Sequence, residues 1–152
     1  MRRTSLFLFL FILGACAPNS ENDGSKSLLN GTWKLLTGTL IENGDTLVTD
    51  YTTDVSFIKI INDDHFAFLQ HDLKHGADSL KSIFVAGGGA YTLKNDSVYT
   101  EFLEYCNDRA WEGHDFSFTV SVNNDTLVQK GMEVIADQGI NRMNIEVYKR
   151  LK

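Results

Sequence analysis

The chain is poor in cysteine and proline, with two cysteines, Cys16 and Cys106, and one proline among 152 residues. If Cys16 is modified at the N-terminus of the mature protein, Cys106 has no partner, which excludes an intramolecular disulfide even in an oxidising compartment. No signature of a cysteine enzyme surrounds Cys106, so its pattern favours a small buried or rim residue over a nucleophile.

Positive charge is also scarce, because 14 Lys and Arg residues face 20 Asp and Glu residues and the formal net charge is −6. There is no basic cluster to replace counterions on a phosphate backbone, which excludes nucleic acid as a partner. The acidity favours solubility.

The only long apolar run, Leu6 to Leu13, follows Arg2 and Arg3 and precedes Gly14, Ala15 and Cys16. A positive start, a short apolar stretch and small residues before a cleavage site are typical of a secretory signal, and the run is too short to span a bilayer. Leu13-Gly14-Ala15-Cys16 looks like a lipobox, in which the cysteine is diacylated. We therefore expect a signal peptide over residues 1–15 and lipidation at Cys16.

A polar stretch follows, with no aliphatic side chain larger than alanine between Ala17 and Ser27. Such a composition is typical of a flexible coil. We expect a lipidated tether over residues 16–29 and one domain over residues 30–152. Ala17 after the cysteine favours the outer membrane, so the predicted location is the bacterial cell envelope.

Beyond the leader, no stretch keeps a helical apolar period for more than two turns, although Asp72–Lys81 or Glu133–Gly139 has room for one turn. Clusters rich in Asn, Asp and Gly instead separate short runs of β-branched and aromatic residues, which predicts hairpins. The predicted strands are Thr32–Ile41, Thr46–Tyr51, Val55–Ile61, His65–Asp72, Phe84–Leu93, Val98–Tyr105, Phe116–Val122, Thr126–Lys130 and Met143–Arg150.

This spacing indicates an all-β fold, a single antiparallel β-barrel of about eight or nine strands. If the last strand were unpaired, it would expose an aggregation-prone edge that contains Ile145, Val147 and Tyr148. We therefore expect it to pair with the first strand and close the sheet. A barrel of this size is either just filled by side chains or holds one small ligand.

Ordered segments along the predicted domain resemble the lipocalin-like domain family of small bacterial lipoproteins, which has a calycin-type barrel. They are Gly31-Thr32-Trp33-Lys34-Leu35, Ile58–Ile61 with His65–Phe68, Gly87–Leu93, Tyr99-Thr100-Glu101 with Glu104-Tyr105, and Glu146–Arg150. The resemblance implies a barrel on a lipid anchor. It also implies that Trp33 packs under Arg150, or Lys149, at the closed floor, where the pair contributes stability and no chemistry.

The Lys94–Ser97 hairpin suggests a candidate ligand site. A two-residue loop at Asn95 and Asp96 would pair Leu93 with Val98 and divide the residues between two faces. One face would carry Tyr91, Leu93, Val98, Thr100, Phe102 and Glu104; the other would carry Ala90, Thr92, Tyr99, Glu101, Leu103 and Tyr105. The first would give an apolar core, the second a pocket with polar groups, and alternation alone does not choose between them.

Other constellations give no enzyme signature. Glu101 and Glu104 fall on opposite faces of a strand and cannot share a substrate. His65, His71 and His75 match no compact metal motif, and Gly87-Gly88-Gly89 lacks the Lys-Ser or Lys-Thr of a phosphate loop, which favours a bend or bulge. We expect no metal, no cofactor and no enzyme activity.

The expected function is capture of a small apolar or amphipathic ligand. The candidate ligand-binding residues are Phe68, Tyr91, Tyr99, Glu101 and Tyr105. The alternative is a filled barrel that binds another envelope protein as an inhibitor or accessory subunit. The volume of the internal cavity distinguishes these two functions.

Overall fold

The computed structural model describes residues 28–152, so the predicted leader, Cys16 and most of the tether lie outside the described residues. The strands are β1 (Gly31–Glu42), β2 (Asp45–Asp50), β3 (Val55–Ile61), β4 (His65–Asp72), β5 (Phe84–Lys94), β6 (Val98–Phe102), β7 (Tyr105–Cys106), β8 (Asp115–Asn123), β9 (Thr126–Ile135) and β10 (Ile140–Arg150). No helix within this part of the chain is long and apolar enough to cross a bilayer.

Eight of the strands form a closed antiparallel barrel in the order β1, β3, β4, β5, β6, β8, β9 and β10. The predicted closure is confirmed: β1 pairs with β10 from Trp33 opposite Arg150 to Ile41 opposite Met143. The two extra strands are β2, which pairs with the second half of β1, and β7, which pairs with β5. Closure removes the apolar edge that the last strand would otherwise expose.

A bulge in β1 between Leu35 and Thr37 changes which residues face the interior. Trp33 and Leu35 are buried before it, and Gly38 is buried after it. The extra residue moves the inward set by one position, because side chains alternate along a strand. The strand also changes partners here, from β3 to β2.

The predicted register of the β5–β6 hairpin is wrong by one residue. Lys94 pairs with Val98 and Tyr91 with Glu101, so the loop contains three residues. Asn95 and Asp96 take the positive φ that the sequence suggests, but Ser97 is an additional residue before the strand resumes. The inward set is consequently Tyr91, Leu93, Tyr99, Glu101 and Leu103, which combines two residues of the first predicted face with three of the second.

Several strand boundaries differ from the predicted ones by one residue, and the C-terminal half of the chain shows larger differences. β9 continues to Ile135 and β10 begins at Ile140, and these longer strands are joined by a 3₁₀ turn over Ala136–Gln138. The predicted sixth strand divides into β6 and β7. Residues 73–81 form hydrogen-bonded turns and bends, without a helical turn.

The glycines of β5 lie where this strand is crowded by neighbouring backbone. A Cβ on Gly89 would be 1.9 Å from the carbonyl oxygen of Phe102, and one on Gly88 would be 2.4 Å from that of Phe66. Gly89 also lies between the segments of β5 that pair with β7 and with β6. Instead of the expected bend or bulge, the glycines allow neighbouring backbone to approach β5 closely at the point where its partner changes from β7 to β6.

Candidate functional site

The closed end of the barrel is capped by Arg150. Its guanidinium carbon lies 4.0 Å from the ring centroid of Trp33, and its two terminal nitrogens donate to the backbone oxygens of Asn30, at 2.5 Å, and Leu28, at 2.6 Å. The indole nitrogen of Trp33 donates to the oxygen of Leu29 at 2.7 Å. These contacts attach the segment before β1 to the end of β10.

The other half of the barrel contains a partly open cavity of about 250 Å³. Its wall combines aromatic and ionisable side chains. The aromatic residues are Tyr51, Phe57, Phe68, Trp111, Phe116, Phe118 and Tyr148. The ionisable residues are Lys59, Glu101, Asp108, Glu133, Arg142 and Glu146.

At the inner end of the cavity, Lys59 is buried in an ion pair with Glu101 and also donates to Oε1 of Gln129 at 2.9 Å. The ammonium nitrogen lies 5.5–5.7 Å from the centroids of three aromatic rings, those of Phe66, Tyr99 and Tyr148. Burial raises the pKa of Glu101, and Lys59 opposes this shift. Three strands thus contribute one buried polar cluster, which a protein interior tolerates only with partners.

Nearer the opening, Glu133 connects two side chains of β10. Its carboxylate accepts from Nε of Arg142 and from Nδ2 of Asn144, each at 2.7 Å. The guanidinium carbon of Arg142 also lies 5.0 Å from the centroid of Trp111. Burial raises the pKa of Glu133, and Arg142 opposes the shift.

Glu146 lies between these two clusters and makes no ion pair with any residue of the described domain. Its carboxylate accepts a hydrogen bond of 2.8 Å from the hydroxyl of Tyr148. Burial, followed by the charge of Glu146, raises the pKa of Tyr148 well above its usual value. Glu146 likewise contributes to the raised pKa of Tyr51, where burial is again the largest cause.

The five predicted wall residues are placed in three different environments. Phe68 and Glu101 line the cavity. Tyr91 and Tyr99 are buried with ring centroids 4.9 Å apart, and the hydroxyl of Tyr91 donates to the oxygen of Asn62.

Tyr105 lies apart from the other four and is 68% exposed. Its strand does not continue β6: the break after Phe102 interrupts the alternation, and Tyr105 pairs with Gly88.

Sequence reasoning missed Lys59, Gln129 and the polar residues of β9 and β10. A signal for Lys59 was present, because it stands between Phe57 and Ile61 at an inward position of an apolar strand. Its partner is 42 residues away, so pairing became visible only with the barrel register. Side chains alternate along a strand, so Arg142, Asn144 and Glu146 lie on the same face of β10 as Tyr148.

The histidines do not form a metal site with their neighbours. The rings of His71 and His75 stack at 5.4 Å, whereas His65 contacts Asp64 at 2.7 Å. Among residues 28–152, no group of three His, Cys, Asp or Glu side chains has an arrangement suited to a metal ion.

Fold and site together define a closed eight-stranded antiparallel β-barrel that is packed at one end and has a charged, aromatic cavity at the other. No family model matches the chain, and no curated protein matches it.

Proposed function

We propose that this protein is a lipid-anchored, lipocalin-like binding protein of the cell envelope and holds a small amphipathic molecule in the barrel without transforming it. The observation that carries the proposal is the partly open cavity of about 250 Å³. This volume lies just below the usual range of ligand pockets, about 300–1,000 Å³, so the ligand is small.

The composition of the wall supports an amphipathic ligand over a purely apolar one. Phe57 and Phe68 stack with centroids 5.9 Å apart and offer an apolar surface. Glu133, Arg142 and Glu146 offer polar groups on the same cavity. A wholly apolar ligand would desolvate these groups without replacing their contacts with water, which is unfavourable.

The test is extraction of a ligand from full-length protein purified from its own host, compared with two variants. Leu40→Trp places a large side chain in the cavity, which Leu40 lines, whereas Ile41→Trp is its control because Ile41 is on the opposite face of β1 and is exposed. We expect mass spectrometry to find one small molecule in near-stoichiometric amount in wild type and Ile41→Trp, and little in Leu40→Trp. No such molecule, or equal amounts in all three proteins, contradicts the proposal. Thermal unfolding checks that both variants are folded.

The internal cavity supports ligand binding over the alternative, a filled barrel that binds an envelope protein. An exposed apolar strip on the outer wall remains in its favour. Ile60, Leu69, Phe84 and Tyr105 are all at least 39% exposed there, on neighbouring strands β3, β4, β5 and β7. An exposed patch of this type is typical of a protein contact, but the cavity gives the binding function more support.

A further inference from the structure

The charges that line the cavity are unbalanced. Lys59 and Arg142 are its cations, whereas Glu101, Asp108, Glu133 and Glu146 are carboxylates. Both cations are already neutralised, since Lys59 pairs with Glu101 and Arg142 with Glu133. Asp108 is exposed at the rim, where water solvates it. Glu146 is therefore the half-buried carboxylate on this wall that no cation of the described domain compensates.

Aromatic side chains share the cavity wall with the Glu146 carboxylate. The hydroxyl of Tyr148 donates to it, and the ring of Tyr148 lies 6.4 Å from that of Phe57. Phe57 in turn contacts Tyr51 edge to face at 5.9 Å. A carboxylate beside several aromatic faces is the combination that recognises an organic ammonium ion, because the rings attract its charge and the carboxylate accepts its hydrogen bonds.

Anions, neutral molecules and metal ions fit this cavity less well than an organic cation does. An anion would meet Arg142 already neutralised by Glu133 and would be repelled by both Glu133 and Glu146. A neutral molecule would remove water from Glu146 without supplying a counter-charge. A bare metal ion would leave most of the cavity and its aromatic wall unused.

We propose that the ligand of this cavity is a small organic cation, an amine with an aromatic or alkyl body, whose ammonium group binds Glu146 while its body packs against the partly exposed rings of Tyr51 and Phe57. This inference rests on the proposed function, because it specifies the ligand of the same cavity. Glu146 acts as the residue that selects charge.

The test uses three probes that share one skeleton: 3-phenylpropylamine, 3-phenylpropan-1-ol and 3-phenylpropanoate. We expect isothermal titration of the full-length protein at neutral pH to show that the amine binds at least about tenfold more tightly than the alcohol, with the carboxylate weakest. The amine affinity should fall with added salt, as expected for a partly buried ion pair.

Two variants test whether Glu146 causes the preference for the amine. Glu146→Gln removes the charge but retains an oxygen that accepts from Tyr148, so the amine should lose at least about tenfold in affinity while the alcohol changes little. Glu104→Gln removes an equal charge from an exposed position and should retain the preference.

Each remaining outcome is decisive. If the alcohol or carboxylate binds as tightly as the amine, or if Glu146→Gln keeps the preference, the cation inference is wrong and the binding function stands, provided that Leu40→Trp abolishes that binding. If none of the three probes binds wild type, the cation inference is wrong, and the extraction experiment decides the binding function separately.

Discussion

At the scale of single residues, the central feature is a buried lysine that holds a carboxylate inside the barrel. Lys59 is 2% exposed and Glu101 6% exposed. A buried pair of this kind adds little net stability compared with apolar side chains of similar volume, but the loss of one partner leaves an uncompensated charge. The pair is better explained as the polar end of the cavity than as a source of stability.

We expect Lys59→Met to lower the free energy of unfolding by about 3–5 kcal/mol at pH 8, because the folded state must then either hold Glu101 as an uncompensated buried carboxylate or protonate it far above its usual pKa. Burial already raises the pKa of Glu101 above its unfolded value, so its contribution favours the folded state at low pH and is lost as pH rises through the folded pKa. Without Lys59 the folded pKa rises further. The loss in free energy of unfolding relative to wild type, measured by urea unfolding, should therefore be smaller at pH 5 than at pH 8.

The double variant Lys59→Met/Glu101→Gln is the control for this prediction. It removes both charges, and we expect it to recover part of the stability that Lys59→Met loses. An equal deficit at both pH values, or a double variant that is no more stable than the single one, would contradict an uncompensated carboxylate as the cause.

At the scale of secondary-structure elements, strands and most turns could be predicted from the sequence, but not every register. Asn43 and Gly44, which belong to one of the clusters that predict hairpins, form a two-residue turn with Glu42 opposite Asp45. At Asn95 and Asp96 the same turn chemistry is followed by an extra residue, Ser97. Hairpin loops of two and three residues both use Asn and Asp at positive φ, so local sequence does not distinguish them.

The extra residue Ser97 limited how much of the candidate site could be predicted from the sequence. A shift of one position exchanges the inner and outer faces of a strand. Tyr91 and Tyr99 were assigned to opposite faces, yet they pack together inside the barrel. The polar cluster around Glu101 required contacts among β3, β6 and β9, which no local pattern contains.

The glycines of β5 provide a test at this scale. We expect Gly89→Ala to lower the free energy of unfolding by at least about 2 kcal/mol, because the new methyl group would overlap the carbonyl oxygen of Phe102 and force β5 away from its neighbours. Thermal unfolding followed by circular dichroism measures the loss. Thr92→Ala, at an exposed position of the same strand, should change stability by less than about 0.5 kcal/mol. If both substitutions have equal effects, close packing at Gly89 is not the reason for glycine there.

At the scale of the whole molecule, the barrel separates a packed end from a binding end. Arg150 caps the packed end, and Arg142 lines the cavity near the other end of β10, roughly 27 Å away at about 3.4 Å per residue. The described chain starts at the packed end, where Arg150 holds the oxygen of Leu28. The proposed anchor would therefore join the described domain at the end opposite the cavity opening.

The anchor itself is tested by Cys16→Ser. We expect this substitution to move the protein from the membrane fraction to the soluble fraction or to leave an uncleaved precursor, because stable attachment requires more than one acyl chain on that cysteine. Membrane fractionation and intact mass of the mature N-terminus measure the two effects. Cys106→Ser is the matched control, since Cys106 is a buried free thiol of β7 and its replacement should leave the protein in the membrane fraction. A Cys16→Ser protein that still fractionates with membranes, together with a wild-type N-terminus that carries no acyl mass, would rule out the lipid anchor while leaving the barrel and its cavity as the site of binding.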